Sequence, residues 1–444
     1  MADSISIRVD ISGLNINNQQ QEALPHKRKT ITNQFGVILR SDPVGYKEKS
    51  PLNKAHYYIK PILDGGMNRT VVVTGYIVEA NMPACTVGNN VLNQNLVWTA
   101  AKFAVLFLKL FLQRNGCPSG LTDRITMDLV TIEEVTLTFL FDCGSHAAAL
   151  DLNDEFYRHG DAVLNAHPAA GKQPVFRVGN GKDSTAYCKH KDFELIGYVK
   201  ASKTKKAFCD LKGQAAIDVY AVGQGCFRFE TKLKAGYLKK HGLDKPEAWK
   251  IAHGGNPHCV GVELARRHLR LDEDLRTVRP KPAYIAKLSA NDQTILTSHL
   301  AGNDVLHHTL IGTNQHQFGM YRARILKATR VDIAIPWQVQ SQQISSLLAD
   351  TLVVDGQFKL PQHLQPLSFC TKTAKALYSQ LQARVSGAAP VAPSSVSPVL
   401  NPIPPKLTGA AASAVVARVR GTTPPPQVPQ PKLGLSNVRK RLKK

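Results

Sequence analysis

Apolar and polar residues alternate through Ser4 to Ile11, His56 to Lys60 and Thr70 to Val78, the pattern of strands with one buried face. A mostly apolar stretch from about Leu96 to Leu112 breaks this rhythm and predicts a helix facing the core. Its densest run, Phe103 to Leu112, is interrupted by Lys109 and preceded by Lys102. That falls short of the roughly 20 apolar residues needed to span a bilayer. A strand is expected from Met127 to Asp142, with Val135, Leu137, Phe139 and Phe141 inward and Glu134, Thr136, Thr138 and Leu140 outward. Two more strands carry unusual polar faces. In Glu194 to Lys200, period two puts Glu194, Ile196, Tyr198 and Lys200 on one side. In Cys226 to Lys234, Phe227, Phe229, Thr231 and Leu233 face one way and Arg228, Glu230, Lys232 and Lys234 the other.

Helical patterns fill much of the rest. Helices are expected at Asn153 to Asn165, before a long loop, and at Lys232 to His241, where Gly242 is a natural stop after Lys239, Lys240 and His241. Others are expected at Val260 to Arg279, Gln315 to Arg330 and Gln340 to Leu352. The fold class is therefore α+β, a largely antiparallel sheet covered by helices over residues 1–245, followed by a mainly helical domain over 246–385. From residue 386 to 444 the chain turns to Ala, Pro, Ser, Val and Thr, and eleven of its 26 prolines follow Gly387. Such a Pro/Ala-rich tail buries too little apolar area to offset the entropy of ordering, so disorder is expected there.

Charge narrows the partners. The 444 residues carry a formal +23 and a pI near 9.7, which points to a polyanion, with nucleic acid ahead of an anionic membrane. The tail holds nine Lys and Arg and no acid, leaving +14 of the +23 on the body. The eight cysteines never form a C-x-x-C pair and no signal-peptide pattern opens the chain, so reduced thiols in a cytoplasm are expected. His253, His258 and Cys259 lack a second ligand pair at zinc spacing, which favours a structural histidine and thiol. Gly179 to Ser184 imitates a phosphate loop but has Phe176 where a glycine is required and Asp183 where Ser or Thr should follow the lysine.

Three blocks carry a family resemblance. Gly225 to Leu243 resembles the "RFE…K…YLK…GL" block of filamentous-phage gene II replication initiators. Leu195 to Lys200 resembles the segment bearing that family's active tyrosine, and Phe318 to Arg324 a C-terminal FG-x-Y-R-R element. With a weaker match at Thr131 to Phe139, the similarity covers roughly residues 100 to 345 in the right order. It implies a rolling-circle initiator that nicks the viral strand of supercoiled replicative DNA, leaves a 3′-hydroxyl primer, and later rejoins the displaced strand. Its nucleophile carries over to Tyr198 and its strand acid to Glu230. Where relatives show Arg-Ile-Asp, this chain has Glu134, Val135 and Thr136, so Glu134 is expected to replace the missing aspartate. The tail has no counterpart.

The residue types suit that chemistry. A phenol with an ordinary pKa near 10 needs a cation or base beside it, and Lys200, Lys203, Lys205 and Lys206 are expected to lower its pKa and hold phosphate. Carboxylates of Glu134 and Glu230 are hard donors for Mg2+ or Mn2+. Arg228, Lys232, Lys234, Lys239, Lys240, Arg322 and Tyr237 are expected to contact DNA, single- or double-stranded. Because a phosphotyrosyl bond conserves the energy of the broken phosphodiester, rejoining needs no ATP, and a host helicase in the host cytoplasm would unwind the duplex. No His-x-His pair occurs, so a histidine-independent nickase is implied. The rival class is a non-catalytic DNA-binding protein, a repressor or packaging factor, in which Tyr198 only stacks or packs.

Overall fold

The alternating segments become strands of one sheet. The computed structural model describes residues 2–387 except 36–37, 65–70, 95, 167–174, 180–182, 201–210, 212, 251–256, 272–278, 307, 313, 330, 335, 342–346 and 354–356. Its strands are β1 (Ala2–Asp10), β2 (Arg28–Thr32), β3 (Ile38–Pro43), β4 (Tyr46–Lys49), β5 (His56–Asp64), β6 (Val72–Asn81), β7 (Val130–Asp142), β8 (Phe176–Val178), β9 (Thr185–Lys189), β10 (Phe193–Val199) and β11 (Cys226–Lys234). Nine of them form an antiparallel sheet in the order β4-β5-β6-β1-β7-β11-β10-β9-β8, while β2 and β3 pair separately. The order is not sequential. β1 lies in the middle, and β11 inserts between β7 and β10, which brings the strands of Tyr198 and Glu230 side by side.

One face of the sheet is apolar and covered. The helix Val97–Arg114 buries Phe103, Phe107, Phe111 and their neighbours against β1 and β6, and the helix Thr371–Val385 packs on it through Tyr378, whose ring meets Phe103 edge-on at 5.6 Å. The helix His146–Ala166 covers β9, β10 and β11, setting Phe156 against Phe227 and Phe229 at 6.0 and 5.9 Å. No described helix is long and apolar enough to cross a membrane. The seven described cysteines are free thiols.

Several elements differ from the sequence pattern. The helix expected from Asn153 starts at His146, because His146 to Leu152 continue its apolar face with Ala149 and Leu152 buried. The strand β11 runs to Lys234 before the short helix Ala235–Lys240 begins. The helix expected to reach Arg279 is Val260–Leu269, closed by Arg270 in the left-handed region at φ 53°; residues 272–278 lie outside the described residues. Gln340 to Leu352 is described only as two short helices, Trp337–Ser341 and Leu347–Thr351. The apolar core also crosses the division expected at residue 245. Trp249, Val262, Leu269, Leu348, Phe369 and Leu381 join the core of the sheet, whereas Leu288 to Ile333 gather a separate cluster around Ile295, Leu296 and Ile325. The described elements after residue 246 are helices; the Pro/Ala-rich tail beyond residue 387 lies outside the described residues.

Gly197, between Ile196 and Tyr198, shows how tightly β10 is held. A Cβ there would lie 2.6 Å from Cδ1 of Phe156 and 3.0 Å from Cζ of Phe227, both parts of rigid buried rings. Gly197→Ala should therefore lower the stability by about 1–3 kcal/mol through overpacking. A urea midpoint equal to that of the wild type would contradict this packing.

Candidate active site

Antiparallel register assembles a polar cluster on the face opposite the Phe156 layer. Tyr198 stands opposite Arg228 and Ile196 opposite Glu230 across β10 and β11, and Arg228 stands opposite Leu140 across β11 and β7. At the Tyr198–Arg228–Leu140 row this face is closed over. Leu140 packs with Val219 and Val222 of the helix Gly213–Gly225, with Val91 and Leu92, and with Leu364. Arg228 is consequently 0% exposed, and Tyr198 and Glu230 are each 8% exposed.

Within this enclosure cationic and anionic groups face each other. The Tyr198 hydroxyl donates to Oε1 of Glu230 at 2.6 Å, and Lys200 Nζ donates to the same hydroxyl at 3.4 Å. Arg228 Nε donates to Glu230 Oε1 at 2.8 Å, its Nη2 lies 2.9 Å from Oδ2 of Asp3, and its Nη1 donates to the carbonyl of Asn90. Asn81 Nδ2 also donates to Asp3 Oδ2, at 3.1 Å. Asp3 arrives by an irregularity of β1. The register with β7 shifts between Ala2 and Ser4, a bulge that lets both Asp3 and Ser4 reach the polar face, where Ser4 Oγ donates to Thr136 Oγ1 at 2.9 Å.

The electrostatics differ from the simple expectation of an activated phenol. Burial, above all, holds the Tyr198 phenol well above its ordinary value; Arg228 pulls it down, but Glu230 and Asp3 add to the rise. Lysines were expected to lower it, and the enclosure reverses that. Glu230 is buried too, which alone would raise it, yet Arg228 and Lys200 hold it below the usual carboxylate value. Asp3 goes the other way, raised by burial more than Arg228 lowers it. At neutral pH the pair is thus a protonated phenol donating to an ionised carboxylate. Glu230 Oε1, 2.6 Å from the hydroxyl, is within reach of a general base for that proton.

The other expected residues fall into distinct places. Arg228, expected on DNA, is sealed inside between two carboxylates and a carbonyl, because the row it occupies is covered by apolar side chains. Glu134 does not meet Glu230. It stands opposite Lys234 in the register, four positions along β7 from Thr138, the partner of Glu230, or about 13 Å of strand. Its carboxylate pairs with Lys232 at 2.8 Å, and Lys234 pairs with Glu194 at 2.9 Å. Asp3 is the carboxylate that the fold brings to Glu230. Lys239 and Lys240 are exposed. Tyr237 is half-buried, stacked on His241 at 4.2 Å and edge-on to Phe193 at 6.0 Å. Arg322 lies far along the chain in the helix Gln315–Thr329, gripping Asp332 through two hydrogen bonds of 2.7 and 2.6 Å. Lys203, Lys205 and Lys206 lie outside the described residues. His258 is structural: burial pushes its imidazole down to about 3, and Nε2 accepts from the Val97 amide at 3.1 Å, capping a helix whose Leu96 supplies no side-chain cap.

No group of three or more His, Cys, Asp or Glu able to hold a metal occurs among the described residues. The oxygen donors that fit a hard divalent ion are Glu230 and Asp3, whose Oδ1 is buried with no hydrogen-bond partner among the described residues. Comparison of the chain with family models, with curated proteins and with solved structures returns no match.

The cluster makes two predictions for stability. Arg228→Met leaves Asp3 and Glu230 buried without their shared cation and should lose about 3–5 kcal/mol in urea denaturation. A loss under about 1 kcal/mol, the range of an exposed pair, would contradict the buried geometry. The two carboxylates should also carry opposite pH signatures. Glu230, depressed on folding, contributes stability present above its unfolded pKa and lost as pH falls through its folded value. Asp3, raised on folding, contributes the reverse, with stability gained as pH falls through its folded value toward the ordinary range near 4. On acidification the stability of wild type minus that of Asp3→Asn should therefore rise between about pH 7 and pH 4, whereas wild type minus Glu230→Gln should hold down to about pH 4.5 and fall below it. Gaps moving in the same direction would contradict the assignment.

Proposed function

We propose that this chain is a DNA nicking and joining enzyme of the rolling-circle type, with Tyr198 as nucleophile. The observation that carries the reading is the 2.6 Å hydrogen bond from the Tyr198 hydroxyl to Glu230, with Lys200 on the same oxygen and Arg228 fixing the carboxylate. Tyr198 Oη attacks the phosphorus of one phosphodiester while its proton passes to Glu230. The bond to the 3′-oxygen breaks, the departing oxygen takes a proton from water, and a 3′-hydroxyl and a 5′-phosphotyrosyl link remain. Attack by a later 3′-hydroxyl on that link reverses the step and joins the strand. Lys200 faces the charge that develops during attack. Mg2+ or Mn2+ is the proposed cofactor, with Glu230 and Asp3 as the residues that fit it. When bound, such an ion draws charge from the non-bridging phosphate oxygens. The exposed Lys239 and Lys240, the +23 charge and the nine cations of the tail suit origin DNA as partner, with host helicase supplying unwinding in the host cytoplasm.

A second reading, a non-catalytic DNA-binding protein, is favoured by one observation. Arg228 is fully buried and Tyr198 nearly so, as in a polar network that only specifies the packing of the sheet. Incubation with supercoiled DNA bearing the cognate origin and magnesium separates the two. The enzyme should yield open circles carrying covalently attached protein. Tyr198→Phe removes one hydroxyl and about 1.5–3 kcal/mol of hydrogen bonding to a charged group, so it should fold, bind the origin and produce neither nick nor adduct. Glu230→Gln should slow nicking at least about 100-fold, the usual contribution of a general base. Tight origin binding by wild type without any nick would leave the second reading standing.

A further inference from the structure

The row of side chains that contains Glu230 continues beyond it to the end of the sheet. Ile196 stands opposite both Glu230 and Tyr187, and Tyr187 stands opposite Phe176. Ala186 and Cys188, on either side of Tyr187 in sequence, are buried in the core, so Tyr187 and Lys189 point to the polar face shared with Tyr198. There the rings of Phe176 and Tyr187 stack at 5.0 Å with only 11° between their planes. Lys189 Nζ lies 5.0 Å from the Phe176 ring centre and 5.8 Å from that of Tyr187. All three side chains are partly exposed, and β8 is the last strand of the sheet. Glu194, the acid opposite Lys189, is engaged by Lys234 at 2.9 Å.

Two stacked aromatic rings beside a cation at the last strand of the sheet, all three side chains partly exposed among the described residues, suit recognition as well as packing. Nucleobases stack on such rings whatever their sequence, since every base presents a π-face, and the ammonium meets the adjoining phosphate. In a duplex those base faces are already occupied by their neighbours, so the chemistry selects a melted or displaced strand. The backbones of Tyr187 and Phe176 lie two and three strand spacings from that of Glu230, about 10 and 14 Å. That places the rings over the nucleotides next to a phosphate seated at Tyr198.

We propose that Phe176, Tyr187 and Lys189 form a base-stacking subsite for single-stranded DNA flanking the phosphodiester presented to Tyr198. The position of the subsite along the strand rests on Tyr198 being the nucleophile, but its occupation by bases does not. The test is equilibrium binding of a fluorescently labelled thymidine oligonucleotide to the full chain in EDTA, where no cleavage is read. Phe176→Ala and Tyr187→Ala should each weaken binding about tenfold, Tyr187→Phe should bind as wild type, and duplex of the same length should be bound equally by all. Lys189→Ala should lower the slope of log affinity against log salt by about one, which the aromatic variants should leave unchanged. An oligonucleotide with abasic residues in place of its bases should reproduce the aromatic losses on unaltered protein, so the test holds even where a variant fails to fold. Equal binding of normal and abasic strands by the wild type, or equal loss of duplex and single strand in the variants, would overturn the subsite. Wild-type protein that shows the stacking effect yet never nicks would support the subsite and overturn the nucleophile reading alone.

Discussion

The guanidinium of Arg228 sits at the point where sheet, site and chemistry meet. It reaches across β7 to Asp3 of β1 on one side and holds Glu230 of its own strand on the other, entirely out of water. Removing one partner of a buried ion pair costs about 3–5 kcal/mol, whereas an exposed pair contributes about 0–1 kcal/mol. The cluster therefore constrains the register of three strands far more than the neighbouring Lys232–Glu134 pair, which is about one-third exposed. A one-residue slip of β11 would put Phe227 and Phe229 into this polar enclosure and Arg228 into the Phe156 layer.

That constraint also shapes the reactivity. A buried phenol beside a carboxylate resists ionisation, so Tyr198 is not a standing phenolate. What the arrangement offers is a pre-aligned acceptor for its proton, an oxygen already in contact with Lys200, and a base whose position is fixed by Arg228. An unionised phenol held in this way is a poor nucleophile until its proton can pass to Glu230.

Much of the fold was legible because its strands alternate cleanly. Val135 to Phe141 and Phe227 to Leu233 mark their inward faces without ambiguity, and Tyr198, Lys200 and Glu230 were singled out from period two and a family resemblance. Asp3 was not. Strict alternation from Ser4 sends it to the core side, and only the bulge between Ala2 and Ser4 turns it toward Arg228. Glu134 looked like its substitute because local spacing cannot show that β1, the first strand in the chain, lies beside β7. Burial of Arg228 was equally hidden, since Leu140, Val222 and Leu364 come from three distant segments. The shared core of Trp249, Leu348 and Leu381 with the sheet escaped for the same reason: composition reports which segments are helical, not what they cover.

The central claim is that one oxygen, Oη of Tyr198, forms the bond to DNA. A single-stranded oligonucleotide spanning the cleavage site, reacted with the full chain and magnesium, can be trapped, digested and mapped by peptide mass spectrometry. The account predicts one nucleotide-modified peptide, carrying its 5′-phosphate on Tyr198. Modification on Tyr187 or Tyr237 instead, or no adduct from protein that binds the same oligonucleotide, would contradict it.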